Sequence, residues 1–275
     1  MESLHIFDEY PNSPLYLNDE DRHLKRAKLE PLIFDILKSK YGKILQEKYK
    51  GYEPPPVGKE KGLVIIVERR IHENLQFVLH NAATAAPGWR IIIICSNINK
   101  KYCELIAESK AIVIDVFKGS PGRDTARSEY NKLLKNPEFY RKLPSENLLF
   151  LQTDSYLRKY IPDFFINYDY IGAPFTWDNN NMGGGLTFRK RSAMIDICKN
   201  FHENIDTEDL FISKGIQKLN YKMPSYFEAI PYFSESAIFE EPIGVHQWWT
   251  FFYPGIDEAE LFFKKLLTLQ YLDCA

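Results

Sequence analysis

Lys61-Gly62-Leu63-Val64-Ile65-Ile66-Val67-Glu68-Arg69-Arg70 is the stretch that decides the fold. Its apolar run, residues 63–67, has no polar interruption and ends abruptly at three charged side chains. A strand with one wet face alternates polar and apolar residues. An unbroken run of this length instead suits a strand buried on both faces, as in a parallel sheet. Working outward, similar runs occur at 91–95, 112–116 and 148–151, separated by helical-period segments over 74–86, 100–109 and 123–143. Strand, crossover helix and parallel strand make right-handed units, so the spacing predicts an α/β fold with a Rossmann-type, mostly parallel sheet. No GxGxxG follows the first run and no GxxxxGK[ST] occurs, which argues against dinucleotide and P-loop versions.

Composition agrees with a folded catalytic or binding domain and excludes other classes. The chain has 275 residues, 45% hydrophobic and 26% charged, enough apolar material for a sizeable core and too much for disorder. Lys and Arg number 35 against 37 Asp and Glu, so there is no basic excess of the kind that nucleic acid requires. No apolar run approaches the roughly 18 residues of a membrane span. The opening MESLHIFDEYPNS is acidic and polar, unlike a secretory leader, and the expectation is a cytoplasmic protein. The four cysteines, at 95, 103, 198 and 274, form no CxxC and read as free thiols.

Residues 19–49 carry apolar positions at helical spacing and run into Tyr52-Glu53-Pro54-Pro55-Pro56, which cannot continue a helix. The reading is an N-terminal helical extension with a proline linker over 1–60 and a main domain over 61–275. In the second half, 170–175 reads as a short strand broken by Pro174. Gly183-Gly184-Gly185 reads as a loop leading into a strand at 186–188. Helices are expected over 191–201 and 207–219, the latter with Thr207 as N-cap, and an amphipathic helix over 257–271.

In open α/β sheets ligands bind at the carboxyl ends of the strands. The residues just past the runs there are Glu68-Arg69-Arg70, Ser96-Asn97, Gly119-Ser120 and Gln152-Thr153-Asp154-Ser155. Asp154 can bind a hard divalent cation or simply cap the next turn. The glycine triplet lets backbone approach a sugar or phosphate, or makes a tight turn. Glu208-Asp209 supplies a general base or merely complements a helix start. His246 is a metal ligand or a satisfied half-buried histidine, and Trp177, Trp248 and Trp249 stack on sugars or fill core.

The order of these elements resembles the GT-A glycosyltransferase core, with its DxD motif, glycine loop, xED motif and C-terminal histidine. VIIVERR, LLFLQTDS, YDYIGAPF, GGGLTFRKR and TEDLF together are similar to a poorly characterised family of GT-A-like domains, over residues 61 to 250. The resemblance implies a GT-A-like sheet with a smaller mixed region on the acceptor side. It implies Asp209 as the base, with Glu208 its neighbour. Glu68, Arg69, Asp154, Gly183, Gly184 and Gly185 would bind the donor, and Asp154 and His246 would bind Mn²⁺ or Mg²⁺. Gln152 stands where the first acid of DxD is expected, which weakens cation binding. The implied function is transfer of a sugar from a nucleoside-diphosphate-sugar donor to a glycan or other hydroxyl acceptor, metal-assisted and inverting. The alternatives are a non-catalytic carbohydrate- or nucleotide-binding module and a sugar-phosphate nucleotidyltransferase. Nucleic acid and a membrane span are not expected.

Overall fold

The computed structural model describes residues 19–119, 121–251 and 264–273. Helix α1 (Asp19–Lys50) is followed by β1 (Gly62–Val67), α2 (Leu75–Ala85), β2 (Trp89–Ser96), α3 (Lys100–Ala107), β3 (Ile112–Phe117), α4 (Arg123–Leu134), α5 (Pro137–Arg141) and β4 (Asn147–Leu151). Then come β5 (Ser155–Leu157), β6 (Tyr170–Phe175), β7 (Asp178–Lys190), α6 (Arg191–Asn200), α7 (Glu208–Lys218), α8 (Tyr226–Ala229), β8 (Phe233–Ser234) and β9 (Gly244–His246). A short helical turn, Gln270–Asp273, lies near the end of the described chain.

Six strands form one sheet in the order β3-β2-β1-β4-β7-β6, and β5-β9-β8 form a small second sheet. β1, β2, β3 and β4 are parallel; β7 runs against β4, and β6 against β7. This is the Rossmann-like, mostly parallel α/β architecture expected from the apolar runs. Alternate residues of β1, β2 and β4 go to opposite faces. Val64, Ile66, Ile91, Ile93, Leu149 and Leu151 pack with α1 and α2, while Leu63, Ile65, Ile92, Ile94, Leu148 and Phe150 pack with α6 and α7. Burial on both sides is the reason these strands lack polar alternation.

Several details differ from the sequence reading. β3 is an edge strand, and Ile112, Ile114 and Val116 stay about 40% exposed, so only its other face is covered. The helix expected over 123–143 is two helices, because Asn136 caps α5 with its side chain and Pro137 begins it. Pro174 does not break β6, which lies at the sheet edge where a missing N–H is tolerated. The hydroxyl of Thr207 makes no capping bond to α7. Residues 257–263 of the helix expected over 257–271 lie outside the described residues, as does Cys274; the rest is not one helix, being helical at 264–266, irregular at 267–269 and helical again from Gln270. Cys95, Cys103 and Cys198 are free.

α1 is part of the main core. Leu29, Ile33, Phe34, Leu37, Tyr41, Leu45 and Tyr49 are all buried in the cluster that covers one face of the sheet. At its far end Tyr49 donates from its hydroxyl to Ala107 O at 2.8 Å, and Tyr52 does so to Trp89 O at 2.7 Å. The proline linker is held too, Arg90 Nη1 donating to Pro55 O at 2.6 Å.

Candidate functional site

The strand order reverses between β1 and β4, and the crevice outside their carboxyl ends is where such sheets take ligands. The small sheet adds its own edge there. β5 and β9 pair antiparallel with Ser155 opposite His246, so the start of β5 meets the end of β9. β8 lies parallel to β9, so the residue after it, Glu235, arrives at the same end. Asp154, His246 and Glu235 therefore converge, although 92 and 11 residues separate His246 from the other two. His246 Nε2 is 3.3 Å from Asp154 Oδ1, and Nδ1 is 3.0 Å from Glu235 Oε2. All three side chains are essentially buried. Gln247 follows with φ at +31°, a strained value for a side-chain-bearing residue. Its N–H donates to Asp154 O and its amide to Glu235 Oε1, bonds that hold it there.

Burial alone would push the His246 imidazole down, but Asp154 and Glu235 on its two nitrogens raise it to about 10. Burial likewise opposes charge on Asp154, yet Arg26 and His246 hold its carboxyl well below the usual range. Both acidic neighbours thus favour the charged form of the histidine.

Gly183-Gly184-Gly185 lies inside β7 rather than in a loop before it. Side chains alternate across a strand. A Cβ on Gly183 would stand 2.3 Å from Glu235 Oε2, and one on Gly185 2.1 Å from His246 Nε2. A Cβ on Gly184 would stand 2.4 Å from Glu208 Oε1 and 3.1 Å from the Cβ of Asp209. Each glycine is therefore required by a different ionisable neighbour. Glu235 and His246 approach β7 from one side and the Glu208-Asp209 pair from the other, with bare backbone between.

Glu208 and Asp209 open α7 but differ in role. Glu208 is buried against Arg189 of β7, with Arg189 Nη1 3.1 Å from Oε2. Arg189 also donates to Thr187 Oγ1 and Tyr140 OH. Asp209 is half-buried, its Oδ1 accepts from the adjacent Leu210 N–H at 2.8 Å, and Thr207 also bonds its carboxyl. Burial pushes its carboxyl upward, which strengthens it as a base.

The end of β1 is a separate knot. Glu68 Oε1 accepts from the N–H groups of Arg69 and Arg70 and from Arg70 Nε, while Oε2 accepts from Arg70 Nη2 and Thr153 Oγ1. Glu68 thereby ties the tip of β1 to the residue before Asp154. Arg69 turns away, lying 4.4 Å over the Phe117 ring and pairing with Glu129. Gln152 donates its amide to Tyr130 OH at 3.1 Å, outside the Asp154 cluster.

Two participants escaped sequence reasoning. Glu235 sits in an irregular segment where no spacing marks it. Arg26 of α1 reaches Asp154, its Nη2 2.5 Å from Oδ2, and its Nε donates to Glu30 at 3.0 Å. A signal for Arg26 exists: residues 26, 30, 33, 37, 41, 45 and 49 form one continuous stripe on a helix, and the first two are charged.

The GT-A resemblance implies a divalent cation on Asp154 and His246. Such an ion needs free oxygen or nitrogen lone pairs within about 2.0–2.6 Å. Here Arg26 and His246 face the two oxygens of Asp154, and each nitrogen of His246 faces a carboxylate. Among the described residues no group of three or more His, Cys, Asp or Glu is disposed to hold a metal. The two oxygens of Asp154 and both nitrogens of His246 make no hydrogen bond, but a cation there would have to displace Arg26 or the histidine from the carboxylate. Among the described residues no helix is long and apolar enough to cross a membrane.

A family model described as "Protein of unknown function (DUF5672)" matches residues 121–246. That span holds Asp154, the glycine triplet, Glu208, Asp209, Glu235 and His246, and excludes α1 through β3. No curated protein matches the chain. Among solved structures the chain is similar to the apo-form glycosyltransferase GlyE of Streptococcus pneumoniae TIGR4, with a TM-score of 0.46 and 15% identity. The likeness covers 78% of this chain and 63% of that one, so this chain spans under two thirds of that structure's length.

Proposed function

We propose that this protein is a glycosyltransferase, moving a sugar from a nucleoside-diphosphate-sugar donor to a hydroxyl acceptor by an inverting route. The observation that carries the reading is the bare backbone of Gly183, Gly184 and Gly185, flanked by Asp209 on one side and by His246 and Glu235 on the other. The triplet keeps both charged sets close to one stretch of backbone beyond the end of β4, the edge at which such sheets take ligands.

Asp209 takes the proton of the acceptor hydroxyl as it attacks the anomeric carbon. It is the less committed acid of the pair, since Glu208 is held by Arg189. Asp154 and the glycines line the donor side, and Glu68 shapes the edge proposed for the nucleotide, from which Arg69 turns away onto Phe117. Glu68 does so by fixing Arg70 and Thr153 in place.

The test is release of nucleoside diphosphate from a panel of UDP-, GDP- and dTDP-sugars, with and without simple glycan acceptors. One donor should be consumed, and Asp209→Asn should lower turnover by about 10²-fold or more while donor binding persists. Absence of both turnover and nucleotide binding across the panel would refute the transferase reading. Intact turnover in Asp209→Asn with none in Glu208→Gln would move the base to the neighbour.

A further inference from the structure

Helix α1 lies outside the segment that matches the family, yet it contributes a side chain to the candidate site. Arg26 Nη2 stands 2.5 Å from Asp154 Oδ2, and Glu30, one turn along, accepts from Arg26 Nε at 3.0 Å. Glu30 is held in turn by Asn74, which donates to its Oε1 at 3.3 Å, with His72 Nε2 3.6 Å from the same oxygen. The guanidinium is therefore fixed from two directions, by the first carboxylate past β4 and by its own helix.

The members of this cluster differ in exposure. The Arg26 side chain is 32% exposed, against 1% for Asp154, 5% for His246 and 6% for Glu235. An anion entering the crevice from solvent meets the guanidinium, with the carboxylates behind it. A guanidinium is permanently charged and presents a planar fork of donors matched to phosphate oxygens. A hard cation at the same carboxylate would have to displace it.

We propose that Arg26 is the resident cation of the donor site: it takes the place of a divalent metal on Asp154 and binds the diphosphate of the nucleotide donor. This rests on the transferase reading and adds to it a metal-independent donor site completed by α1. The guanidinium then stabilises the charge that gathers on the departing diphosphate, the largest charge to develop in the reaction. It is consistent with Gln152, because a site that holds a guanidinium has no need of a second acid.

The experiment is a calorimetric titration of UDP, GDP and dTDP into the full chain, in EDTA and in Mn²⁺. The diphosphate that binds should do so with the same Kd, within about twofold, in both buffers. Arg26→Ala should weaken it about 10- to 100-fold in EDTA, the loss of charge-assisted hydrogen bonds. Mn²⁺ should recover part of that loss, because the variant leaves Asp154 open to a hard cation. Arg26→Lys, which keeps the charge, should stay within about tenfold of the parent. Binding that requires Mn²⁺ in the parent overturns the proposal, and that comparison needs no variant, so it stands even if Arg26→Ala does not fold. Equal loss in both buffers for Arg26→Ala assigns Arg26 to packing and overturns it as well. Binding by Arg26→Ala at parental strength or better makes α1 a plug and does the same. If no diphosphate binds the parent under either condition, the transferase reading falls together with this one.

Discussion

Arg189 Nη1 lies 3.1 Å from Glu208 Oε2, and neither side chain reaches solvent. Burial pushes the Glu208 carboxyl up, and Arg189 pulls it back. The guanidinium cannot shed its proton, so the pair stays ionic and each partner depends on the other.

The two adjacent acids of α7 should therefore separate in a denaturation experiment. Glu208→Gln leaves Arg189 buried without a counter-charge and should cost about 3–5 kcal/mol. Asp209→Asn removes a carboxylate that burial already disfavours, so its stability should change by less than about 1 kcal/mol. Urea titration of both variants checks this. Equal losses would mean that Asp209 is as structural as its neighbour.

Gly185→Ala should be the most damaging of the three glycine substitutions. All the nearest atoms to its Cβ belong to the His246 ring, the closest at 2.1 Å, so the ring must move as a unit and loses its place between Asp154 and Glu235. Overpacking of this sort costs about 1–3 kcal/mol. At Gly183 and Gly184 the closest atom is a carboxylate tip, which can swing further. Thermal melts of the three alanine variants should rank Gly185→Ala lowest.

His80 of α2 gives the fold an acid-side weakness away from the site. Its ring stacks on Tyr49 of α1 at 4.4 Å between centroids, and burial pushes its pKa down to about 4 from 6.5. Between those values the unfolded chain binds the proton and the folded chain does not, so stability present above pH 6.5 is lost as pH falls towards 4. A shift of this size corresponds to about 3 kcal/mol. His80→Phe should flatten that part of the stability profile measured by urea titration from pH 7 to 4; an unchanged slope would contradict it.

A chain beginning at Lys61 should fail to fold compactly. It would lack the seven buried apolar residues that α1 lays on α2 and on the small sheet, among them Phe34, which packs edge-on to Phe77, Tyr156 and Trp249. Dye binding by exposed apolar surface, with loss of near-ultraviolet dichroism, is the expected result. A sharp cooperative melt would show instead that α1 is dispensable.

The part of the architecture that depends on burial was legible from residues. Runs such as 63–67 and 91–95 suit strands covered on two sides, and the stripe from Leu29 to Tyr49 suits a helix with one buried face. The glycine triplet misled because glycine has no strand preference of its own. Its place in β7 is set by Glu235, Glu208 and His246 pressing on it from distant parts of the chain. The exposure of Ile112, Ile114 and Val116 was equally hidden, since strand order decides which run lies at an edge. The order of Asp154, the glycines, Asp209 and His246 pointed to one site. Glu235 and Arg26 joined it through the small sheet and α1, contacts that local spacing does not encode.

The alternation of partners along β7 makes this strand intolerant of changes in length. Lengthening the β6–β7 connection at 176–177 would leave the strand's frame alone, because Leu186 would still lie opposite Leu151. A single residue inserted between Gly185 and Leu186 would shift every upstream position to the opposite face. The inserted side chain would fill the place taken by the His246 ring, Gly185 and Gly184 would move into the places facing Glu208 and Glu235, and Met182 would leave the core cluster it fills. Natural variation and library design alike should find indels accepted at the turn and lethal to folding a few residues later.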